Sequence, residues 1–145
     1  MLRRVRCTAP IVTVLLGAGC AATNTAEDTR HFPRDGIDVW AAARDAAREQ
    51  PRWDEKVACP ARGSLVYECR SAIWGFVDDL AVSVDPDPRG GTRVHLDSRS
   101  RVGRSDWGVN AKRIALLLDR METKLAEHPE TPTPAATAGV GSGSR

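Results

Sequence analysis

Between Lys56 and Val102 apolar residues recur at every second position, and from Trp107 to Leu125 they recur every three or four, a change of period that constrains the fold more than any other feature of the chain. A period of two sends alternate side chains to opposite faces of a strand, whereas 3.6 gathers them along one stripe of a helix. Val57 and Cys59 alternate with Lys56 and Ala58. Leu65, Tyr67, Cys69 and Ile73 alternate with Val66, Glu68, Arg70 and Ala72, which predicts two strands joined by a turn through Pro60-Ala61-Arg62-Gly63. A third strand is expected from Val77 to Val84, with Leu80, Val82 and Val84 on one face. The run DPDPRGG at residues 85–91 is dense in turn formers and connects it to a fourth, from Thr92 to Val102. That fourth strand sets Val94, Leu96, Ser98, Ser100 and Val102 against Arg93, His95, Asp97, Arg99 and Arg101, so one face belongs to a core and the other is charged.

The last helix is expected to bury Trp107, Ala111, Ile114, Leu118, Met121 and Leu125, with Ser105 or Asp106 as its cap. Upstream, Ile37, Trp40, Ala41 and Ala47 form the apolar side of a shorter helix, with Asp35 placed to cap it and Pro51 to stop it. Helix, four strands and helix predict an α+β fold: a single small domain with a four-stranded antiparallel sheet and two helices packed on one face, the other face being wet.

Both ends of the chain differ from this middle. Arg3, Arg4 and Arg6 form a basic start, Ile11 to Leu16 an apolar centre, and Gly17-Ala18-Gly19 a run of small residues before Cys20, the layout of a secretory signal over residues 1–19. The apolar centre is too short to span a bilayer. A signal ending in small residues before a cysteine resembles the lipoprotein lipobox, which makes Cys20 the lipidated first residue of the mature chain. Gly17 stands where that motif has a leucine, and an ordinary signal cut after Ala22 is the alternative. With Cys7 removed and Cys20 lipidated, Cys59 and Cys69 remain, either as one disulfide of an oxidising compartment or as two buried thiols.

Residues 20–34 and 128–145 are small and polar or rich in Pro, Gly, Ser and Ala, and read as a flexible tether and a disordered tail around a domain at 35–127. The formal charge of +2 includes the three signal arginines, so the processed chain has 18 basic residues against 19 acidic ones. That balance excludes a strongly basic nucleic-acid footprint.

Three blocks in fixed order carry a family resemblance: Gly75-Phe76-Val77-Asp78-Asp79, Ser98-Arg99-Ser100-Arg101-Val102-Gly103-Arg104-Ser105-Asp106, and Gly108-Val109-Asn110 followed by Lys112-Arg113-Ile114. With the helix around Trp40 and the Pro51-Arg52 bend, they resemble the bacterial DUF1499 family over most of the folded part. Arg99, between two serines, and Trp107 depart from the family pattern. The resemblance implies one compact domain, often attached to an envelope signal or membrane segment, and supplies no catalytic residue.

The polar residues of these blocks form a candidate cluster: Asp78, Asp79, Ser98, Arg99, Ser100, Arg101, Arg104, Asp106, Asn110 and Arg113. Antiparallel pairing brings the start of strand three beside the end of strand four. Asp106, Asn110 and Arg113 recur at spacings of four and three on the following helix. Such a cluster either holds an anionic or sugar-like ligand near the helix N-terminus or clamps aspartates with arginines as a structural network.

A hydrolase would use Asp78 or Asp79 as acid or base with Arg99 or Arg101 steadying negative charge, although adjacent strand residues face opposite ways. No metal or cofactor is expected, since His31, His95 and His128 are scattered and Cys59 with Cys69 lacks a second pair at zinc spacing. Ser98, Ser100 and Ser105 have no histidine placed to activate them. Of the four tryptophans, Trp40 and Trp107 are expected in the core, and Trp53 and Trp74 near turns. The sequence therefore points to an exported, membrane-anchored envelope lipoprotein with a non-enzymatic binding or structural role. Its expected partners are the membrane, through the lipid, and an envelope component or envelope protein; the oligomeric state is not encoded in any pattern found.

Overall fold

Period two becomes sheet and period 3.6 becomes helix in the computed structural model, which describes residues 24–72, 75–102 and 108–128. The elements are β1 (Thr25–Phe32), α1 (Gly36–Arg48), β2 (Trp53–Cys59), β3 (Ser64–Arg70), β4 (Val77–Pro86), β5 (Thr92–Ser100) and α2 (Val109–Glu127). All five strands form one antiparallel sheet in the order β1-β5-β4-β3-β2. The α+β class and the two helices agree with the sequence reading; the sheet has five strands rather than four.

The fifth strand corrects the reading of residues 20–34 as a flexible tether. Over Thr25–Phe32 this stretch pairs with β5 in unbroken register, from Thr25 opposite Arg99 to Phe32 opposite Thr92. As an edge strand beside one helix, β1 fully buries Phe32 alone, so it shows no apolar alternation.

Both helices cover the same face. Leu65, Tyr67, Leu80, Val82, Val94 and Leu96 point up from the sheet to meet Val39, Ala43, Ala46 and Ala47 of α1 and Ile114, Leu117, Leu118 and Met121 of α2. Asp35 caps α1 as expected, its carboxylate accepting the Ile37 backbone N–H at 3.3 Å. The stripe is rotated from the expected one: Val39, Ala42, Ala43 and Ala46 are buried with Trp40 and Ala47, while Ile37 is 58% exposed. On α2, Leu117 replaces Ala111 in the core, and the helix starts at Val109 behind a left-handed Gly108 with no side-chain cap. Trp74, Ser105 and Trp107, to which the sequence reading gave roles, lie outside the described residues.

The β2–β3 connection is a short 3-10 turn, Pro60–Arg62, closed by Gly63 at φ 59°. A side chain at Gly63 would place its Cβ 1.9 Å from the Val84 carbonyl oxygen, so this turn sits directly on β4. Cys59 and Cys69 are both buried free thiols, which overturns the disulfide alternative. Cys59 lies opposite Ser64, five residues down β3 from Cys69, so about 16 Å of strand separates them, far beyond the reach of a disulfide. Among the described residues no helix is long and apolar enough to cross a membrane.

Candidate functional site

The sheet divides the predicted polar cluster between its two faces. Asp78, Ser98 and Ser100 point toward the helices, where Asn110 and Arg113 from the first turns of α2 meet them. Arg113 donates from Nη2 to Asp78 Oδ2 at 2.6 Å and from Nη1 to Ser98 Oγ at 2.8 Å, and Nη1 also reaches Asn110 Oδ1. Ser98 donates to Asn110 Oδ1 at 2.8 Å, and the Asn110 amide nitrogen donates to Ser100 Oγ at 3.0 Å and to the Asn24 carbonyl at 2.8 Å. The Asp78 and Arg113 side chains are each 7% exposed. Two opposite charges this far from water require one another and their hydrogen bonds, because either alone would be strongly unfavourable. The network locks α2 onto the ends of β4 and β5 and, through Asn24, onto the start of β1.

Asp79, Arg99 and Arg101 lie on the opposite, wet face. Arg101 grips Asp79 through two nitrogens at 2.6 and 2.9 Å and also donates to Glu68 at 2.7 Å. Glu68 receives Lys56 as well, at 3.0 Å, and the two cations, Lys56 foremost, hold its carboxyl below the ordinary range. Arg99 pairs along its own strand with Asp97 at 2.8 Å. The two aspartates proposed for acid–base work thus stand on opposite sides of the sheet, each engaged by a different arginine. Arg104 and Asp106 lie outside the described residues.

A concave site does exist, at the other end of the strands. An open cleft of about 1000 Å³ lies between the β1–α1 connection, the Pro60–Arg62 turn and the β4–β5 hairpin. Buried Trp40, Val84 and Thr92 form its deeper wall, and exposed Ile37, Arg62 and Arg89 stand on its rim. Arg34 enters the same cleft while its guanidinium caps the end of α2, donating to the carbonyls of Leu125 at 2.9 Å and His128 at 3.1 Å. The hairpin rim is fixed by Asp87, which accepts the Arg89 guanidinium and backbone N–H; those bonds, the guanidinium first, pull its carboxyl far below the usual carboxylate range. The Trp40 indole N–H is shielded from water and has no hydrogen-bond partner, an uncommon cost in a native core. Its ring is overlain by Arg44, 5.4 Å from the ring centroid.

The sequence reading missed this cleft because its lining comes from three turns far apart in the chain, each explicable as a local turn signal. It also missed the Arg44–Glu55–Tyr67 group, in which Arg44 binds both oxygens of Glu55 at 2.7 and 2.8 Å beside the buried Tyr67. Burial, foremost, with the neighbouring Glu55 carboxylate, pushes the Tyr67 hydroxyl well above its ordinary range. Among the described residues no group of three or more His, Cys, Asp or Glu side chains is placed to hold a metal ion.

The family model described as protein of unknown function (DUF1499) matches residues 19–121, from before β1 into the fourth turn of α2. The chain belongs to the DUF1499 family. No curated protein matches this DUF1499 chain. Among solved structures, it is similar to protein MLL2253 of Mesorhizobium loti, with a TM-score of 0.56 at 11% identity over 73% of this chain and 99% of that one. It is similar also to Ara h 8.0201, with a TM-score of 0.54 at 10% identity over 70% of this chain and 97% of that one. Protein CV1439 of Chromobacterium violaceum gives a TM-score of 0.50 at 11% identity over 74% and 99% of the two chains. At these identities the likeness is one of fold alone.

Proposed function

We propose that this DUF1499 protein is exported, is held on a membrane surface by a lipid on Cys20, and acts there as a non-enzymatic binding unit that receives an envelope component or envelope protein in the cleft beside Trp40. One observation carries the binding reading. A cleft of mixed apolar and cationic lining opens at one end of the sheet, while the carboxylates best suited to acid–base chemistry are committed elsewhere to Arg113 and Arg101. A hydrolase needs an accessible carboxylate at the floor of a pocket. Asp78 is sealed beneath α2, and Asp79 stands on an open sheet face. Of the predicted polar cluster, the described residues are engaged otherwise: Ser98, Ser100, Asn110 and Arg113 attach α2, and Arg99 and Arg101 pair with carboxylates on the wet face.

Two measurements test the proposal. Intact mass and detergent partitioning of the native protein are compared with a Cys20→Ser variant; a lipid-sized increment on the wild type and release of the variant are expected, and a mature chain beginning at Thr23 without added mass defeats the anchor. For the cleft, a photo-crosslinking residue is placed at Ile37 on its rim and, as a control, at Ala115 on the exposed side of α2. A discrete adduct from position 37 and none from 115 is expected; equal labelling of both positions, or of neither, defeats binding in the cleft.

A further inference from the structure

Because β1 begins at Thr25, the anchor proposed on Cys20 is joined to the folded body almost without slack. Three residues lie between Cys20 and Asn24, so the four steps from one to the other reach at most about 14 Å. Asn24 is fixed to the body: its carbonyl accepts the Ser100 backbone N–H at 2.9 Å and the Asn110 side chain at 2.8 Å, and its own side chain donates to the Ser100 carbonyl at 2.9 Å. One end of the sheet is therefore held against whatever surface holds Cys20. The register identifies what else is at that end: the close of β5 at Ser100, the start of β4 at Val77, the close of β3 at Arg70 and the start of β2 at Trp53.

The same end carries three of the large apolar side chains that the domain leaves in water: Phe76 at 48% exposure, Val102 at 63% and Val109 at 43%. Phe76 precedes β4 and is held by Ser71, which exchanges two hydrogen bonds with its backbone at 2.8 and 3.0 Å. Val102 follows β5, and Val109 opens α2 next to Asn110. Arg52 and Lys112, exposed at this end, have no carboxylate partner among the described residues. Exposed apolar side chains at an end that also carries cations without carboxylate partners suit the headgroup boundary of an anionic bilayer, where rings and methyls enter the acyl margin and the cations meet phosphate.

We infer that this end of the domain, through Phe76, Val102 and Val109, docks on the surface of the bilayer that holds the anchor, so that the cleft at the other end faces away from the membrane. The inference rests on the anchoring of Cys20 proposed above. It gives the apolar end one occupant, the bilayer.

The test supplies the tether chemically. The chain from Cys20 onward, which contains every described residue, is coupled through the Cys20 thiol to phosphatidylethanolamine–phosphatidylglycerol vesicles bearing a maleimide-headgroup lipid. Cys59 and Cys69 are buried and spared. Hydroxyl-radical footprinting of the coupled chain is compared with the same chain capped by a soluble maleimide. Oxidation of Phe76 is expected to fall about threefold or more on coupling, as entry into the interface requires, while Ile37 at the far end is unchanged. In a Phe76→Ser, Val102→Ser chain, whose altered side chains are exposed and outside the core, the accompanying protection of Val109 is expected to vanish. Equal oxidation of Phe76 in the coupled and capped chains, or protection centred on Arg93 and His95 of the wet face, overturns the inference. Absence of lipid from Cys20 in the native protein counts against the anchor alone, and a flat footprint on chemically tethered vesicles against the docking end alone.

Discussion

Replacing Arg113 by Met separates a structural clamp from a surface site. The guanidinium is 7% exposed and donates to Asp78, Ser98 and Asn110, so its loss leaves the Asp78 carboxylate buried without a cation and the Ser98 and Asn110 oxygens short of a donor. Breaking a buried ion pair from one side costs about 3–5 kcal/mol. A domain of this size is stable by about 5–15 kcal/mol, so the variant should lose a large share of its stability. At about 4–8 °C per kcal/mol for a small domain, the melting temperature is expected to fall by more than about 12 °C. Arg101→Met provides the internal comparison: Arg101 also touches two carboxylates, but its side chain is 46% exposed, and exposed pairs contribute only about 0–1 kcal/mol. Urea titrations followed by circular dichroism on both variants, with Asp78→Leu/Arg113→Met added, complete the measurement. The double replacement should recover most of the loss, because two apolar side chains restore packing without an orphan charge. A cost below about 1 kcal/mol for Arg113→Met, comparable to that of Arg101→Met, refutes the assignment of this pair as a buried clamp.

Other expectations follow from the same packing. A chain beginning at Asp35 lacks β1, Phe32 and the Arg34 cap on α2 and exposes the edge of β5, so it should be insoluble or show a lost cooperative melt; a soluble, cooperatively melting product would show β1 to be dispensable. Both thiols should resist alkylation at pH 8 in the folded chain and react in denaturant, since burial raises the Cys69 thiol to about 12; intact mass after alkylation reads this, and two thiols missing from the denatured chain would indicate a bridge. Gly63→Ala should destabilise by more than about 1 kcal/mol in a thermal melt, through its positive φ and the collision with Val84; an unchanged melting temperature would contradict the close approach. The carboxyls of Asp87, Glu55 and Glu68 are all held below their ordinary range in the folded state. The unfolded chain therefore takes up protons first as the pH falls, stability is lost below about pH 5, and Asp87→Asn should lower stability at neutral pH and flatten the acid limb of the stability profile. A parallel, undiminished acid limb in that variant would exclude Asp87 from the linkage.

The sequence carried β3, β4, β5 and α2 plainly, because these elements bury one face completely: Leu65, Tyr67 and Cys69, then Leu80, Val82 and Val84, are inaccessible at strict alternation. It did not carry β1, whose inward positions Ala26, Asp28 and Arg30 lie at the margin of the core; Arg30 reaches Glu122 of α2 at 2.8 Å instead of packing. An edge strand beside one helix gains its stability from the backbone ladder, which leaves no hydrophobic trace. The blocks around Asp78, Ser98 and Asn110 were visible as a cluster, and alternation already set Ser98 and Ser100 apart from Arg99 and Arg101, but the pairing of Arg113 with Asp78 depended on how α2 lies on the sheet, which spacing alone did not decide. Alanine-rich α1 was ambiguous for a related reason: with small residues at Ala41, Ala42, Ala43, Ala46 and Ala47, several rotations of the helix satisfy the pattern, and the large Val39 selects the one that fits the sheet. The cleft was illegible, since nothing in one turn announces the other two.

The route of β1 also sets how the protein bears load. The strand runs from the end where the chain leaves toward Cys20 to the end that holds the cleft, paired along its whole length with β5. Under the anchoring and cleft binding proposed above, a tug between the two ends acts along the strand axis, at right angles to the antiparallel hydrogen bonds. Tension applied this way must shear the ladder as a set instead of peeling it bond by bond. The same pull applied across the strands would open it like a zipper, so force between Asn24 and the cleft meets this edge strand in its mechanically strongest direction.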